Sequence, residues 1–326
     1  MIRFGKLTVL AAAAVALVAC NKAPPPAAPA DAPAPAPIAA PASAPAAAPA
    51  PAPAPIAGKP ALWRIGDEDT TVYLFGAVHV LPPELSWRTQ PVETALNASK
   101  AVYFETDVNP NPVAMAQMAK RLGIYRPPER LSDHLTAEQH AAVANASAKL
   151  NLPMPLLDTM KPWMAAMALS EQMIANAGYD PNSGVERTLL PMAVAAGKEI
   201  RKLETVEEQL LVFADLPEKV QINYLISGID EIDKEPTLLG DLVSAWSKGD
   251  VEKLDKIMIE DDLEETPEVY QALLVKRNRN WTVKLDALVK SEPGVFFVAV
   301  GAGHLSGKDS VLGMLAAKGY QVERVE

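Results

Sequence analysis

The order of apolar and polar positions divides this chain into elements before any residue is given a role. Leu62-Trp63-Arg64-Ile65 alternates with the two-residue period of a half-buried strand. Gly66 to Asp69 reads as a turn, and Thr71-Val72-Tyr73-Leu74-Phe75 is β-rich, so the pair predicts a hairpin. Ala101 to Phe104 and Glu199 to Leu203 are further short strands. Val295-Phe296-Phe297-Val298-Ala299-Val300 is a continuous apolar run, the pattern of a strand covered on both faces. Helical periodicity accounts for residues 89–99, 112–122, 136–150, 162–177, 185–196, 206–213, 217–232, 237–248, 267–289 and 308–318, with a final strand over 320–325. Thr136 is placed to cap its helix. Pro162, Pro217 and Pro267 suit a first helical turn, where a missing N–H costs nothing. The fold class is therefore α/β or α+β: a mixed central sheet with a large, mainly helical insertion between its N- and C-terminal halves.

The pattern breaks down before residue 59. Arg3 and Lys6 form a basic start, and Leu7 to Val18 is an apolar run too short to span a bilayer comfortably. That combination is the form of a signal peptide. It ends Leu17-Val18-Ala19-Cys20, which resembles a lipobox, so residues 1–20 are expected to be a lipoprotein signal peptide with lipid added at Cys20. Asn21 in place of an Asp favours the outer membrane, with the domain facing the periplasm. Residues 21–58 are dominated by Ala and Pro and hold too little large apolar surface for a core. They read as an extended spacer. Residues 59–326 remain for one domain.

Composition narrows the function. The formal charge is −10 over the whole chain and about −12 once Arg3 and Lys6 are removed. That balance excludes nucleic acid and a broad anionic-membrane surface as partners, leaving lipid at Cys20 as the membrane contact. Cys20 is the only cysteine, so no intramolecular disulfide forms.

Candidate chemistry gathers at strand ends. Two of the four histidines, His79 and His304, each close a Gly-x-x-His directly after an apolar strand. Ligand sites in α/β sheets lie outside the carboxyl ends of strands, where Gly76, Gly301 and Gly303 permit close backbone approach. Either each imidazole closes a turn by hydrogen bonding, or the two converge on one metal ion or substrate. Glu105 also ends a strand and can complete a set of two His and one carboxylate for a divalent metal, or act as a general base; Asp107 follows on the same strand face. Arg277 can bind a substrate carboxylate or pair with an active-site Glu, and Asn278 can orient a carbonyl or stabilise an oxyanion; otherwise both lie on a solvated helix face. Glu204 and Gln209 read as parts of a helix start, because Thr205 and Glu208 match a capping box. Met160, Met164 and Met167 recur at helical spacing, as a core stripe, soft metal ligands or an adaptable groove. His134 and His140 read as surface residues.

Together, Gly76-Ala77-Val78-His79, Gly301-Ala302-Gly303-His304-Leu305 and Tyr103-Phe104-Glu105-Thr106-Asp107 resemble the signature of the TraB/GumN family, which is related to the Tiki metalloproteases. Lys202 to Leu210 is similar to its Leu-Glu-Thr stretch, and Arg277 to Trp281 to its Arg-Asn motif. Ser183-Gly184-Val185-Glu186 is similar to its Gly-Val-Asp segment, with Glu186 where Asp is usual. The resemblance implies a compact α/β core and a metal-dependent hydrolase, with His79, His304 and Glu105 around Mn, Co or Zn and Arg277 and Asn278 positioning a peptide or small-molecule substrate. Two other functions fit the same residues: a non-catalytic binder of a peptide or tetrapyrrole, and a scaffold in envelope assembly or polysaccharide export.

Overall fold

A computed structural model of the chain describes residues 56–232, 235–260 and 266–326. The expected signal peptide, the lipid site at Cys20 and nearly all of the Ala/Pro-rich segment lie outside the described residues.

A six-stranded sheet forms the centre. Its strands are β2 (Leu62–Gly66), β3 (Thr70–Ala77), β5 (Ala101–Phe104), β6 (Glu199–Lys202), β7 (Gly294–Gly301) and β8 (Glu323–Arg324), in the order β6-β5-β7-β3-β2-β8. The four strands β6, β5, β7 and β3 run parallel, and β2 pairs antiparallel with both β3 and β8. The mixed sheet is the expected one. The final strand is shorter than its pattern, two residues rather than six. A separate two-residue ladder joins β1 (Ile56–Ala57) to β4 (Leu85–Ser86), so the end of the Ala/Pro-rich segment packs on the domain.

β7 lies between β3 and β5, which explains its unbroken apolar run. Phe297 and Ala299 face one core with Phe75, Val102 and Trp246, while Phe296, Val298 and Val300 face another with Val72, Leu74, Trp281 and Leu285. The period-two alternation thus supplies two cores rather than a wet face and a dry one. The first core is built from the helix Gln90–Ala98, the helical segments between β5 and β6, and those between β6 and residue 275. Met164, Met167 and Met173 are buried in it, an ordinary core role. The second is covered by the helices Lys276–Ser291 and Val311–Ala317. Residues 267–291 are continuously helical as expected, but Gln271–Val275 is a π-helical turn within that run. No described helix is long and apolar enough to cross a membrane.

Candidate functional site

The four parallel strands deliver four ionisable side chains in sheet order. Glu204 lies two residues beyond β6, Glu105 one beyond β5, His304 three beyond β7 and His79 two beyond β3. The register sets Phe104 beside Ala299 and Ala77 beside Gly301, so the carboxyl ends of these strands meet.

Glu105 is buried and fully engaged. Its Oε1 accepts from the Gly301 backbone N–H at 2.6 Å, and its Oε2 from Arg277 Nη2 at 2.6 Å and Gln209 Nε2 at 3.2 Å. A Cβ on Gly301 would come within 3.1 Å of that Oε1, so the absent side chain is what lets the backbone reach the carboxylate. Burial pushes the carboxyl up, but Arg277, His304, His79 and the Gly301 N–H overcome it and bring it down to about 2.

His304 sits in a short turn, Ala302–Leu305, directly after β7. Its Nδ1 lies 2.5 Å from Asn278 Oδ1, while Asn278 Nδ2 donates to the Asp309 carbonyl at 2.8 Å. The Asp309 bond fixes the amide's orientation, so Nδ1 must carry the proton and Nε2 the lone pair. Arg277 Nη1 stands 3.0 Å from that Nε2. Burial and the guanidinium lower the imidazole to about 3, so it is neutral. The Trp281 ring packs on it at 4.3 Å. Arg277, Asn278 and Trp281 occupy one face of the Lys276–Ser291 helix, and all are buried. A solvated face is thereby ruled out, and Arg277 takes the second of its two expected roles, pairing with glutamates.

His79 is tuned oppositely. Its Nδ1 lies 2.8 Å from Glu186 Oε1. Burial disfavours its charge, yet Glu186 and Glu105 raise the imidazole to about 9, with Arg277 opposing them. Glu186 is the second residue of the helix Val185–Ala195, whose first N–H donates to the Val78 carbonyl at 3.0 Å. A Cβ on Gly184 would sit 2.0 Å from the His79 carbonyl oxygen, so only glycine lets this helix start there. The His79 side chain is 19% exposed against 6% for His304, making it the ring that an incoming molecule can reach. A cleft of about 430 Å³ runs between the segment after His79 (Pro82 to Arg88) and the start of the Glu186 helix, at Asn182, Ser183 and Thr188.

The remaining glycines pack tightly. A Cβ on Gly76 would approach Ala302 Cα to 3.2 Å, and one on Gly303 would approach Met258 Cε to 2.9 Å. Asp107 is exposed and accepts from the Asn109 N–H, away from the expected constellation. His134 is half-buried rather than a surface residue: it stacks on Tyr125 at 4.8 Å between Glu129 and Glu218.

Two contributors lay hidden in the capping motif. Thr205 and Glu208 do form the capping box, but Glu204 receives Arg277 at 2.7 Å and Trp281 Nε1 at 3.2 Å, and Gln209 reaches Glu105. The signal that could have found Glu204 was its place just past a strand, like Glu105.

The family profile of TraB/PrgY/gumN matches residues 61–324. The chain belongs to this family. Among its relatives, the uncharacterized protein YbaP of Escherichia coli (strain K12) is 25% identical over 74% of this chain and 87% of its own length. The metalloprotease TIKI2 of Danio rerio is 26% identical over 77% of this chain and 58% of its own, and the human metalloprotease TIKI1 25% over 80% and 61%. The match therefore spans about three-fifths of the Tiki proteins. No solved structure matches the chain. The Tiki relatives are named metalloproteases, which implies a metal in those proteins. Among the described residues, however, no three His, Cys, Asp or Glu side chains are grouped to hold one. Glu105 and the Nε2 of His304 both face the Arg277 guanidinium, so the side chains as placed do not fit a metal there.

Proposed function

We propose that this protein is a hydrolase that cleaves peptide bonds, with His79 as its proton-transfer group. The observation that carries the reading is the His79–Glu186 pair at the end of β3, where the His79 ring is the more exposed of the two strand-end imidazoles. Glu186, 2.8 Å away, supports the charge of the imidazole, and Glu105 adds to that support. Raised to about 9, this partly exposed imidazole is charged at neutral pH, so it gives its proton to the leaving amine as the C–N bond breaks and regains one from the water that adds to the carbonyl. Asn278 and Arg277 act on His304 and Glu105, and Glu204 on Arg277 and Trp281, rather than on substrate, because their polar atoms are already engaged. The metalloprotease relatives support the choice of peptide as substrate.

The test is cleavage of a denatured-protein or peptide mixture by the purified chain, with His79→Gln and Glu186→Gln variants. Cleavage that falls at least 100-fold in His79→Gln is the expected result, in the range typical of a lost acid–base group. Cleavage unchanged in that variant would end the assignment. A second reading is favoured by the relatives' names: a Mn, Co or Zn ion held by His79, His304 and Glu105. Metal analysis of the purified chain decides between them, since the second reading requires a stoichiometric ion lost in His79→Ala and His304→Ala.

The location proposed for this activity is the periplasmic side of the outer membrane, through lipid on Cys20. The support is the basic start, short apolar run and Ala19-Cys20 ending. Cys20→Ala should move the protein out of the membrane fraction; unchanged attachment would refute the tether.

A further inference from the structure

Arg277 is the most completely engaged side chain of the cluster. Its Nε faces Glu204 at 3.1 Å; its Nη1 donates to the Leu273 carbonyl at 3.1 Å and stands 3.0 Å from His304 Nε2; its Nη2 donates to Glu105 at 2.6 Å and to Glu204 at 2.7 Å. All five N–H groups therefore have partners. The Leu273 carbonyl belongs to the π-helical turn, and the ring of Trp281 lies 4.6 Å beneath the guanidinium.

What surrounds this cation is a metal donor set without a metal's geometry. Two carboxylates and one imidazole nitrogen with a free lone pair suit a divalent ion. The neutral state of His304, with Nδ1–H held by Asn278, is the arrangement that metal-bound imidazoles share. Yet the space between these donors is taken by a planar cation whose charge cannot be titrated away at physiological pH.

We propose that Arg277 is the built-in cation of this cluster, standing where an ion held by Glu105, Glu204 and His304 would stand and keeping such an ion out. The inference shares its residues with the hydrolase reading but makes a separate claim, about metal uptake rather than turnover.

Co²⁺ is the probe, because its visible absorption reports nitrogen and oxygen ligation directly. The chain is titrated with Co²⁺ as wild type, His304→Ala, Arg277→Met and Arg277→Met/His304→Ala, with circular dichroism confirming the fold of each. Wild type should show no absorption band that depends on His304. Arg277→Met should gain a band at about one ion per chain, and the double variant should lose it. Where Arg277→Met does not fold, Arg277→Met/Glu204→Gln replaces it, since it removes the carboxylate left unpaired and keeps Glu105 and His304. A His304-dependent band in wild type overturns the proposal, as does a folded Arg277→Met chain that binds no Co²⁺. Wild type that binds Co²⁺ through His304 while still cleaving peptide through His79 sinks this inference alone. An Arg277→Met band in a protein whose wild type never cleaves peptide sinks only the hydrolase reading.

Discussion

Single residues at the strand ends carry opposite charge states from similar sequence contexts. His79 and His304 each follow a Gly-x-x spacing, yet one imidazole is raised to about 9 and the other lowered to about 3. The difference is the partner: a carboxylate faces His79, whereas a guanidinium faces His304. NMR titration of the ring protons should therefore show His79 changing charge near pH 9 and His304 remaining neutral through the physiological range. In Glu186→Gln the His79 midpoint should fall, and any alkaline limb of peptide cleavage should fall with it; a midpoint that does not move would show that Glu186 is not the cause. Stability follows the same shifts. Since His79 is raised from 6.5, its contribution of roughly 3 kcal/mol is complete below pH 6.5 and is lost as pH rises through about 9. Glu105 is lowered from 4.5, so its contribution is complete above pH 4.5 and is lost as pH falls toward 2. Urea unfolding across both ranges checks the two slopes, and His79→Gln should flatten the alkaline one. Sequence pointed to both histidines and to Glu105 because each ends an apolar strand. It did not reveal the charge states, which depend on partners brought from elsewhere in the chain.

At the scale of elements, the strands and long helices were legible because their periods are clean, and the departures were small. The π-helical turn at Gln271–Val275 was not legible, since its residues fit an ordinary helical pattern. It matters because π turns leave carbonyls outside the usual ladder, and here Leu273 offers its oxygen to Arg277. Deleting Ala272 should let the turn close as α-helix and withdraw that acceptor. The expected outcome is a folded protein with a lower Tm, read by thermal melting; an unchanged Tm would show that the turn does not support the cluster. The helix start at Val185 makes a sharper case. Gly184→Ala would press a methyl into the His79 backbone, so the helix must shift and carry Glu186 with it. Peptide cleavage should drop in that variant even where the fold survives. The two-residue ladder of β1 and β4 lay below the reach of any periodic signal.

For the molecule as a whole, the boundary of the folded domain lies a little earlier than composition alone places it. Ile56 donates to Glu84 at 3.1 Å and Gly58 to Ser86 at 2.7 Å, so these residues belong to the fold despite following the Ala/Pro-rich stretch. A chain beginning at Ile56 should melt with the longer forms. One beginning at Lys59 should lose about 1 kcal/mol and a few degrees of Tm. Equal Tm for the two would mean that the ladder contributes nothing. The position of β7 has another consequence. Thr70 pairs with Gly294 and Ala77 with Gly301, so the middle of the sheet closes only when distant stretches of chain find each other. Loop closure over such a separation slows folding. A chain still emerging from a ribosome has β3 and β5 in hand but no β7 to join them. Whatever the strand ends do is therefore withheld until residues 294–304 have been made and have found their place between β3 and β5.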